Sequence, residues 1–218
     1  MNALRPDDTA GWYADKVRRF GFDHRGLGFG NRSSQEKRFD ALMELGDLDG
    51  ARILDVGCGF GDFLVYLHQQ GVKPVYTGLD ICEPMIDRCR QLFGPSTGRF
   101  LVGDVLDFEP DETFDYVVAS GLFGLDSQGA RERIRPTMDR IFSWSRIGAA
   151  MNFLSARSAT PAEQRIYIDP LKALEAGFAL RKFIAAPMRA QPKTRSIVGR
   201  MRSRAPSESS PKSPLATT

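Results

Sequence analysis

The sequence predicts a doubly wound α/β domain, in which helices cover both faces of a mostly parallel sheet. Short apolar runs typical of buried strands alternate along the chain with helical patterns. A glycine-rich turn joins the first of these strands to a helix, within residues 51–80. Acidic residues and glycines follow the predicted strands directly, at the edge where open parallel sheets bind ligands. The same edge is therefore the expected binding site.

The first predicted strand covers residues 53–56 and leads into a turn that contains Gly57, Gly59 and Gly61. Chain reversal at the end of a strand requires positive φ, and a ligand lying on the turn requires backbone without Cβ, so glycine suits both needs. Asp62 is the expected N-cap of the helix that follows.

The second predicted strand, residues 75–79, ends in Asp80. In a βαβ unit, a carboxylate at this position can accept hydrogen bonds from both hydroxyls of a ribose. The turn after Asp55 has the spacing G-x-G-x-G rather than the G-x-G-x-x-G that seats a pyrophosphate on a helix N-terminus. Because of this spacing, we consider a nicotinamide-dependent dehydrogenase a weak alternative.

The later segments continue the alternation of helices and strands. Further helices are predicted near residues 34–45, 84–93, 130–145 and 171–176, and further strands at 100–102, 114–119, 149–154 and 183–186. The pattern then weakens, and no seventh strand is recognised. We therefore expect an atypical, truncated sheet edge at the C-terminal end.

The chain divides into three regions. Residues 1–34 form an N-terminal arm with an amphipathic helix around Trp12, residues 35–186 form the α/β domain, and residues 187–218 form a basic tail rich in proline and serine. The tail cannot bury enough apolar area to offset its ordering entropy, so we expect disorder there.

The composition is that of an ordinary globular domain, with 42% hydrophobic and 26% charged residues and a net charge of +3. No apolar run approaches the length of a membrane span and no signal-peptide core is visible, so we expect a cytoplasmic protein without membrane contact. The three cysteines lack metal-ligand spacing, and we predict neither a metal site nor a disulfide.

Residues 53–63, ILDVGCGFGDF, resemble the first motif of the class I S-adenosylmethionine-dependent methyltransferases. In that family the second strand likewise ends in an acidic residue, as it does here at Asp80. The resemblance covers roughly residues 35–154 and includes several motifs in order. It implies a Rossmann-like fold, S-adenosyl-L-methionine as the cofactor, and an N-terminal segment that acts as a lid.

The resemblance also implies roles for individual residues. An acidic residue after the third strand, here Asp104, accepts a hydrogen bond from the adenine amino group, and the loop at Ser120 separates cofactor from acceptor. Arg38 could bind the methionyl carboxylate of the cofactor through two parallel hydrogen bonds. The predicted cofactor-binding residues are Arg38, Asp55, Gly57, Cys58, Gly59, Gly61, Asp80, Ile81, Met85, Gly103, Asp104, Val105, Ser120 and Gly121.

The predicted reaction is transfer of a methyl group to an oxygen or nitrogen of a small-molecule acceptor by in-line displacement. His24 and Tyr13 are the candidate catalytic residues, and a general base is needed only if the acceptor is protonated. One alternative is a nucleic-acid or protein methyltransferase, which the basic tail suggests. Another is a non-catalytic S-adenosylmethionine-binding protein, which the missing strand suggests. The sequence does not indicate an oligomeric state.

Overall fold

The computed structural model describes residues 8–27, 32–158, 161–179, 183–186 and 196–202. The helices in this part of the chain are α1 Asp8–Phe20, α2 Arg32–Met43, α3 Asp62–Gln69, α4 Glu83–Leu92, α5 Ala130–Trp144 and α6 Pro170–Ala179. The strands are β1 Arg52–Val56, β2 Val75–Asp80, β3 Arg99–Val102, β4 Phe114–Ser120, β5 Ser145–Ser155, β6 Tyr167–Ile168, β7 Phe183–Ala186 and β8 Ser196–Arg202.

The strands form one sheet in the order β3-β2-β1-β4-β5-β8-β7, and the short β6 pairs with the end of β5. The first five strands are mutually parallel. The chain winds outward in one direction from β1 and in the other direction from β4. Because β1 and β4 are neighbours, the strand order reverses between them, and their carboxyl ends open into a crevice at this switch point.

Helices pack on both faces of the sheet because successive strand residues point to opposite sides. On one face, Ile53 of β1 joins a buried cluster with side chains of α2, α3 and α4. On the other face, Leu54 and Val56 join a cluster with α5 residues such as Ile141. The predicted doubly wound α/β fold is confirmed. No helix among the described residues is long and apolar enough to cross a membrane.

The expectation that the sheet lacks its last strand is wrong. Strand β8 lies between β5 and β7 and is antiparallel to both, with Gly148 opposite Arg202 and Phe183 opposite Met201. This strand belongs to the segment predicted as a disordered tail. Its few apolar residues give no local strand pattern, and it is ordered by backbone pairing with β7 and with β5, which is distant in sequence. The rest of 187–218 lies outside the described residues.

The helix after the glycine turn begins one residue earlier than predicted. Gly61 is its N-cap residue, with φ +75°, and Asp62 is the first helical residue. The left-handed conformation of Gly61 places the turn directly against the helix, so no side-chain cap is used there. By contrast, a side chain caps α6, because Oδ1 of Asp169 accepts a hydrogen bond from the backbone N–H of Leu171 at 2.8 Å.

One carboxyl group is buried within the sheet itself. Asp55 of β1 is 2% exposed, and its Oδ2 accepts a hydrogen bond of 2.6 Å from the hydroxyl of Tyr76 on β2. Burial raises the pKa of Asp55 to about 7, although the bond from Tyr76 acts in the opposite direction. The folded protein therefore holds a proton on Asp55 more tightly than the unfolded chain does.

We expect two truncations of the chain to show how much β8 contributes to stability, compared with the residues after it. Deleting 203–218 leaves every described strand in place and should change the free energy of unfolding by less than about 0.5 kcal/mol. Deleting 196–218 removes β8 and exposes the edge of β5, and the loss should be several kcal/mol out of a typical total of about 5 to 15. Urea denaturation of the two truncated proteins checks this. Equal stability would contradict the role of β8.

We expect Asp55→Asn to change how stability depends on pH. The stabilising contribution of protonated Asp55 is complete below about pH 4 and is lost as the pH rises to 7, whereas the asparagine amide stays neutral and still accepts the bond from Tyr76. Between pH 5 and 8 the natural protein should therefore lose roughly 3 kcal/mol relative to the variant, at about 1.36 kcal/mol per pKa unit. Denaturation curves at both pH values measure the difference, and parallel pH profiles would disprove the shift.

Candidate functional site

A cavity of about 240 Å³ lies at the carboxyl ends of the parallel strands, at the switch point between β1 and β4. Residues that follow β1, β2, β3 and β4 line it, together with side chains of α1 and α5. The fold places the cavity there because these strands all end on the same edge of the sheet. The position agrees with the predicted binding edge.

The glycine turn after β1 is held by the end of β2. The backbone N–H groups of Gly57 and Cys58 donate to the carbonyl of Leu79 at 2.7 and 3.1 Å. Gly57 and Gly59 have φ values of +76° and +56°, a conformation that residues with a Cβ rarely adopt. The turn therefore presents bare backbone to the cavity.

Asp80 joins the two strand ends. Its Oδ2 accepts a hydrogen bond from the N–H of Gly59 at 2.8 Å, and its Oδ1 accepts one from the N–H of Cys82 at 2.9 Å. Burial raises the pKa of Asp80, and the backbone hydrogen bonds oppose that rise. Each carboxylate oxygen has a further lone pair, so a ligand hydroxyl in the cavity could also donate to Asp80.

A second carboxylate lies further along the cavity. Both oxygens of Asp104, which follows β3, accept hydrogen bonds from the guanidinium of Arg133 on α5 at 2.5 Å. The backbone N–H of Leu106 also donates to Asp104, at 2.8 Å. This ion pair fixes the orientation of Asp104 in the cavity wall. The sequence does not predict Arg133, since its helix reads as a solvated crossover helix.

Thr137 provides a test of whether the cavity suits a polar ligand. It lies one turn after Arg133 on α5, lines the cavity and is 0% exposed. Among the described residues its hydroxyl oxygen has no hydrogen-bond partner. A buried polar atom without a partner costs free energy, so a ligand with a hydrogen-bonding group would stabilise it. Together with bare backbone, two carboxylates and the apolar side chains of Ile81 and Val105, this donor and acceptor set fits an adenosyl group.

The loop after β4 lines another part of the cavity. The side chain of Asn152 on β5 accepts a hydrogen bond from the N–H of Gly121 at 2.9 Å and donates to the hydroxyl of Ser120 at 3.1 Å. Asn152 is buried and fixes this loop. Leu122 then contacts the turn, because a Cβ on Gly57 would lie 2.7 Å from its Cδ1.

Helix α1 and the residues after it cover the cavity from the other side. The hydroxyl of Thr9 on α1 donates to Ser127 at 3.3 Å, across the cavity mouth. Leu27 packs on the glycine turn, where a Cβ on Gly59 would lie 2.6 Å from its Cδ2. Tyr13 also lines the cavity. The predicted N-terminal arm therefore packs directly on the predicted cofactor site.

Most of the predicted site residues meet in this cavity. Those that line it are Tyr13, Asp55, Gly57, Cys58, Gly59, Asp80, Ile81, Met85, Gly103, Asp104, Val105, Ser120 and Gly121. Gly61 lies behind the turn, where a Cβ would lie 2.8 Å from Phe93. Arg38 is buried on α2, and its charge interacts with those of Tyr13 and Arg165. Burial lowers the pKa of Arg38 to about 10, so it stays cationic at neutral pH.

His24 lies in a different place. It lines a neighbouring cavity of about 160 Å³, and Nδ1 of His24 is 3.4 Å from a carboxylate oxygen of Asp23. Gln35 and Asp62 line both cavities, and Gln35 donates a hydrogen bond of 2.7 Å to Asp62 between them. The structure thus separates His24 from Tyr13, the other candidate catalytic residue.

Comparisons with known proteins agree with this geometry. Residues 53–143 match the family described as a methyltransferase domain. A methyltransferase of Mycobacterium tuberculosis is 33% identical over 130 residues, which is 56% of this chain and 75% of that protein. The fatty-acid O-methyltransferase of Mycolicibacterium smegmatis is 38% identical over 73 residues, 33% of this chain and 27% of the relative. The chain therefore spans only about a quarter of this second relative.

Solved structures share the fold. Magnesium protoporphyrin IX methyltransferase of Synechocystis, solved with bound S-adenosylhomocysteine, superimposes with a TM-score of 0.65 at 17% identity. The match covers 90% of this chain and 97% of that one. The glycine turn, the acidic end of β2, the strand order and the match to the Mycobacterium tuberculosis protein together show that the chain belongs to the class I S-adenosylmethionine-dependent methyltransferases.

Proposed function

We propose that the protein transfers a methyl group from S-adenosyl-L-methionine to a small-molecule acceptor held in the cavity at the β1/β4 switch point. The observation that carries this proposal is the joining of the bare glycine turn to Asp80 within one partly enclosed cavity. Relatives with small acceptors support it: the fatty-acid O-methyltransferase and a trans-aconitate 2-methyltransferase of Streptomyces coelicolor, 36% identical over 87 residues.

We assign the cofactor to one half of the cavity. Asp80 would accept hydrogen bonds from the ribose hydroxyls, while Ile81, Val105 and Asp104 would hold the adenine. The hydroxyl of Thr137 is a further contact of the same half, since it lacks another partner among the described residues. The glycine turn would contact the methionyl part, and Arg38 would supply positive charge for its carboxylate.

The bound cofactor would supply a methyl group attached to a positively charged sulfur. The residues of this chain need to hold the acceptor in line with that group and to keep water out. Holding two reactants in the reactive geometry can lower a barrier by roughly 7 to 11 kcal/mol. The loop after β4, fixed by Asn152, is the part of the structure placed to align the acceptor.

The N-terminal arm would act as the lid over both molecules. Among its described residues, the arm contacts the cavity through the Thr9 to Ser127 hydrogen bond and the packing of Leu27 on the turn, and Val17 packs in a cluster with Met85 of α4. A segment that covers a binding site in this way admits reactants when it opens and excludes water when it closes.

We expect Asp80→Ala to weaken S-adenosylmethionine binding by about 1 to 3 kcal/mol, because ligand hydroxyls would lose their buried acceptor. Isothermal titration calorimetry measures the affinity. Asp87→Ala, which removes an exposed carboxylate on α4 that pairs with Arg90, is the matched control and should bind normally. Circular dichroism of both variants checks that the fold is intact. Equal affinities in the two variants would remove Asp80 from the site.

We expect Gly57→Ala to reduce S-adenosylmethionine affinity by at least about tenfold. Its Cβ would meet Cδ1 of Leu122 at 2.7 Å and push that side chain into the cavity. Gly50→Ala is the matched control: Gly50 also has a positive φ, +65°, but a Cβ there has nothing within 4 Å. Both variants should lose stability from backbone strain, and only Gly57→Ala should lose affinity. If both bind equally well, the turn is not part of the site.

A further inference from the structure

Next to residues that line the cavity lies an arginine to which the assignments above give no role. Arg165 precedes β6, and its Nη1 donates a hydrogen bond of 3.3 Å to the carbonyl of Gly124, in the loop after β4. Its guanidinium carbon is 6.0 Å from the ring centre of Trp12 on α1. Arg165 therefore lies between the two segments that enclose the acceptor half of the cavity.

A strained backbone conformation next to Arg165 helps to hold it in this place. The preceding residue, Gln164, has φ +57° and is the only described residue other than glycine with a positive φ. Its carbonyl accepts a hydrogen bond from the N–H of Asp126 at 3.0 Å, and the following residue, Ile166, is buried. Strained backbone that is fixed on both sides often marks a functional position. Here it directs a guanidinium to Gly124 and Trp12, the neighbours in sequence of residues that line the cavity.

Positive charge is concentrated around the hydroxyl of Tyr13. Burial raises the pKa of Tyr13, so its hydroxyl keeps its proton at neutral pH and can donate a hydrogen bond. The charges of Arg165 and Arg38 lower the pKa of Tyr13, whereas the charge of Asp80 raises it. Both guanidiniums are therefore close enough to this hydroxyl to stabilise an anion beside it.

The wall of the acceptor half of the cavity is apolar. Leu27, Leu122, Phe123 and Leu125 line it among the described residues. Such a wall suits the hydrocarbon part of an acceptor, while Arg165 and Tyr13 at the rim suit a charged head group. The space therefore fits an amphiphilic anion better than a neutral polar molecule.

The described lining of the cavity lacks histidine, the side chain most often used as a general base. Each of its four carboxylates is held by a hydrogen bond within the protein. The donors are Tyr76 to Asp55, Gln35 to Asp62, backbone N–H groups to Asp80 and Arg133 to Asp104. An acceptor that is already deprotonated at neutral pH needs no base, and carboxylic acids with ordinary pKa values near about 4 meet this condition.

From these observations we infer that the acceptor is a carboxylate with an apolar body, that Arg165 and the hydroxyl of Tyr13 bind it, and that the product is its methyl ester. This inference rests on the proposed methyltransferase function. A guanidinium has five N–H donors in a planar fork, and two of them can bind a carboxylate through parallel hydrogen bonds. One carboxylate oxygen forms the new C–O bond with the methyl carbon while the C–S bond breaks. The electron pair of that bond stays on sulfur, and no proton moves.

Octanoate and phenylacetate, compared with octanol and 2-phenylethanol, test the inference. With radiolabelled S-adenosylmethionine, the acids should yield a product whose label is released as methanol in alkali, which is diagnostic of a methyl ester, and the alcohols should yield none. Binding is measured separately with S-adenosylhomocysteine-saturated protein through the fluorescence of Trp12, one of two tryptophans in the chain. The acids should change this fluorescence at concentrations where the alcohols do not.

Variants of Arg165 identify its role. Arg165→Gln should raise the Kd for octanoate by about 10- to 100-fold, and Arg165→Lys should have a smaller effect because it keeps the charge but not the planar fork. Both should bind S-adenosylhomocysteine within about threefold of the natural protein. The matched control is Arg157→Gln, which replaces an exposed arginine in the loop after β5 and should bind octanoate normally.

Each contrary result has a separate meaning. If S-adenosylmethionine fails to bind the natural protein, the proposed function itself fails. If S-adenosylmethionine binds but neither acid binds or is methylated, the inferred acceptor class is wrong. If Arg165→Gln weakens S-adenosylhomocysteine binding as strongly as octanoate binding, Arg165 holds the loop or the cofactor rather than the acceptor, and its inferred role is also wrong.

Discussion

The hydrogen bonds between the end of β2 and the turn after β1 are the constraint on which the site depends. Two N–H groups of the turn donate to the carbonyl of Leu79, and a third donates to the carboxylate of Asp80. These bonds are possible only because Gly57 and Gly59 adopt positive φ, which folds the chain back over the strand ends. The result is a rigid corner where bare backbone and a carboxylate lie side by side. The other walls of the cavity are built against this corner.

The parts of the site that the sequence predicts are those encoded within short stretches. The turn, its helix and the acidic end of β2 lie within residues 51–80, and both the local spacing and the family resemblance point to them. Asp104 and the loop at Ser120 are also predicted, because each follows directly on a recognisable strand. In a parallel sheet all of these strand ends share one edge, so topology alone brings them together.

The parts that the sequence does not predict depend on contacts between distant segments. Arg133 and Thr137 lie on a crossover helix whose surface pattern resembles that of any solvated helix, and only the packing of α5 places them in the cavity. Asn152 reads as an ordinary strand residue. Beyond its amphipathic helix, the N-terminal arm has no pattern that defines its path, so the sequence groups His24 with Tyr13 although the structure puts it in a neighbouring cavity. Strand β8 escapes prediction because its insertion beside β5 depends on a partner far away in sequence.

The position of β8 has a consequence for how the chain reaches its native state. The last described strand is inserted between β5 and β7, so β7 has no partner in the sheet until β8 has arrived. During synthesis the edge of β5 stays open while the residues from β6 to β8 emerge from the ribosome, and an open strand edge is prone to pair with other chains. The parallel core from β1 to β5 can assemble earlier, whereas closing this edge is a late, long-range and therefore slow step. Conditions that delay the emergence of β8 should therefore promote aggregation and leave the folded cofactor site unchanged.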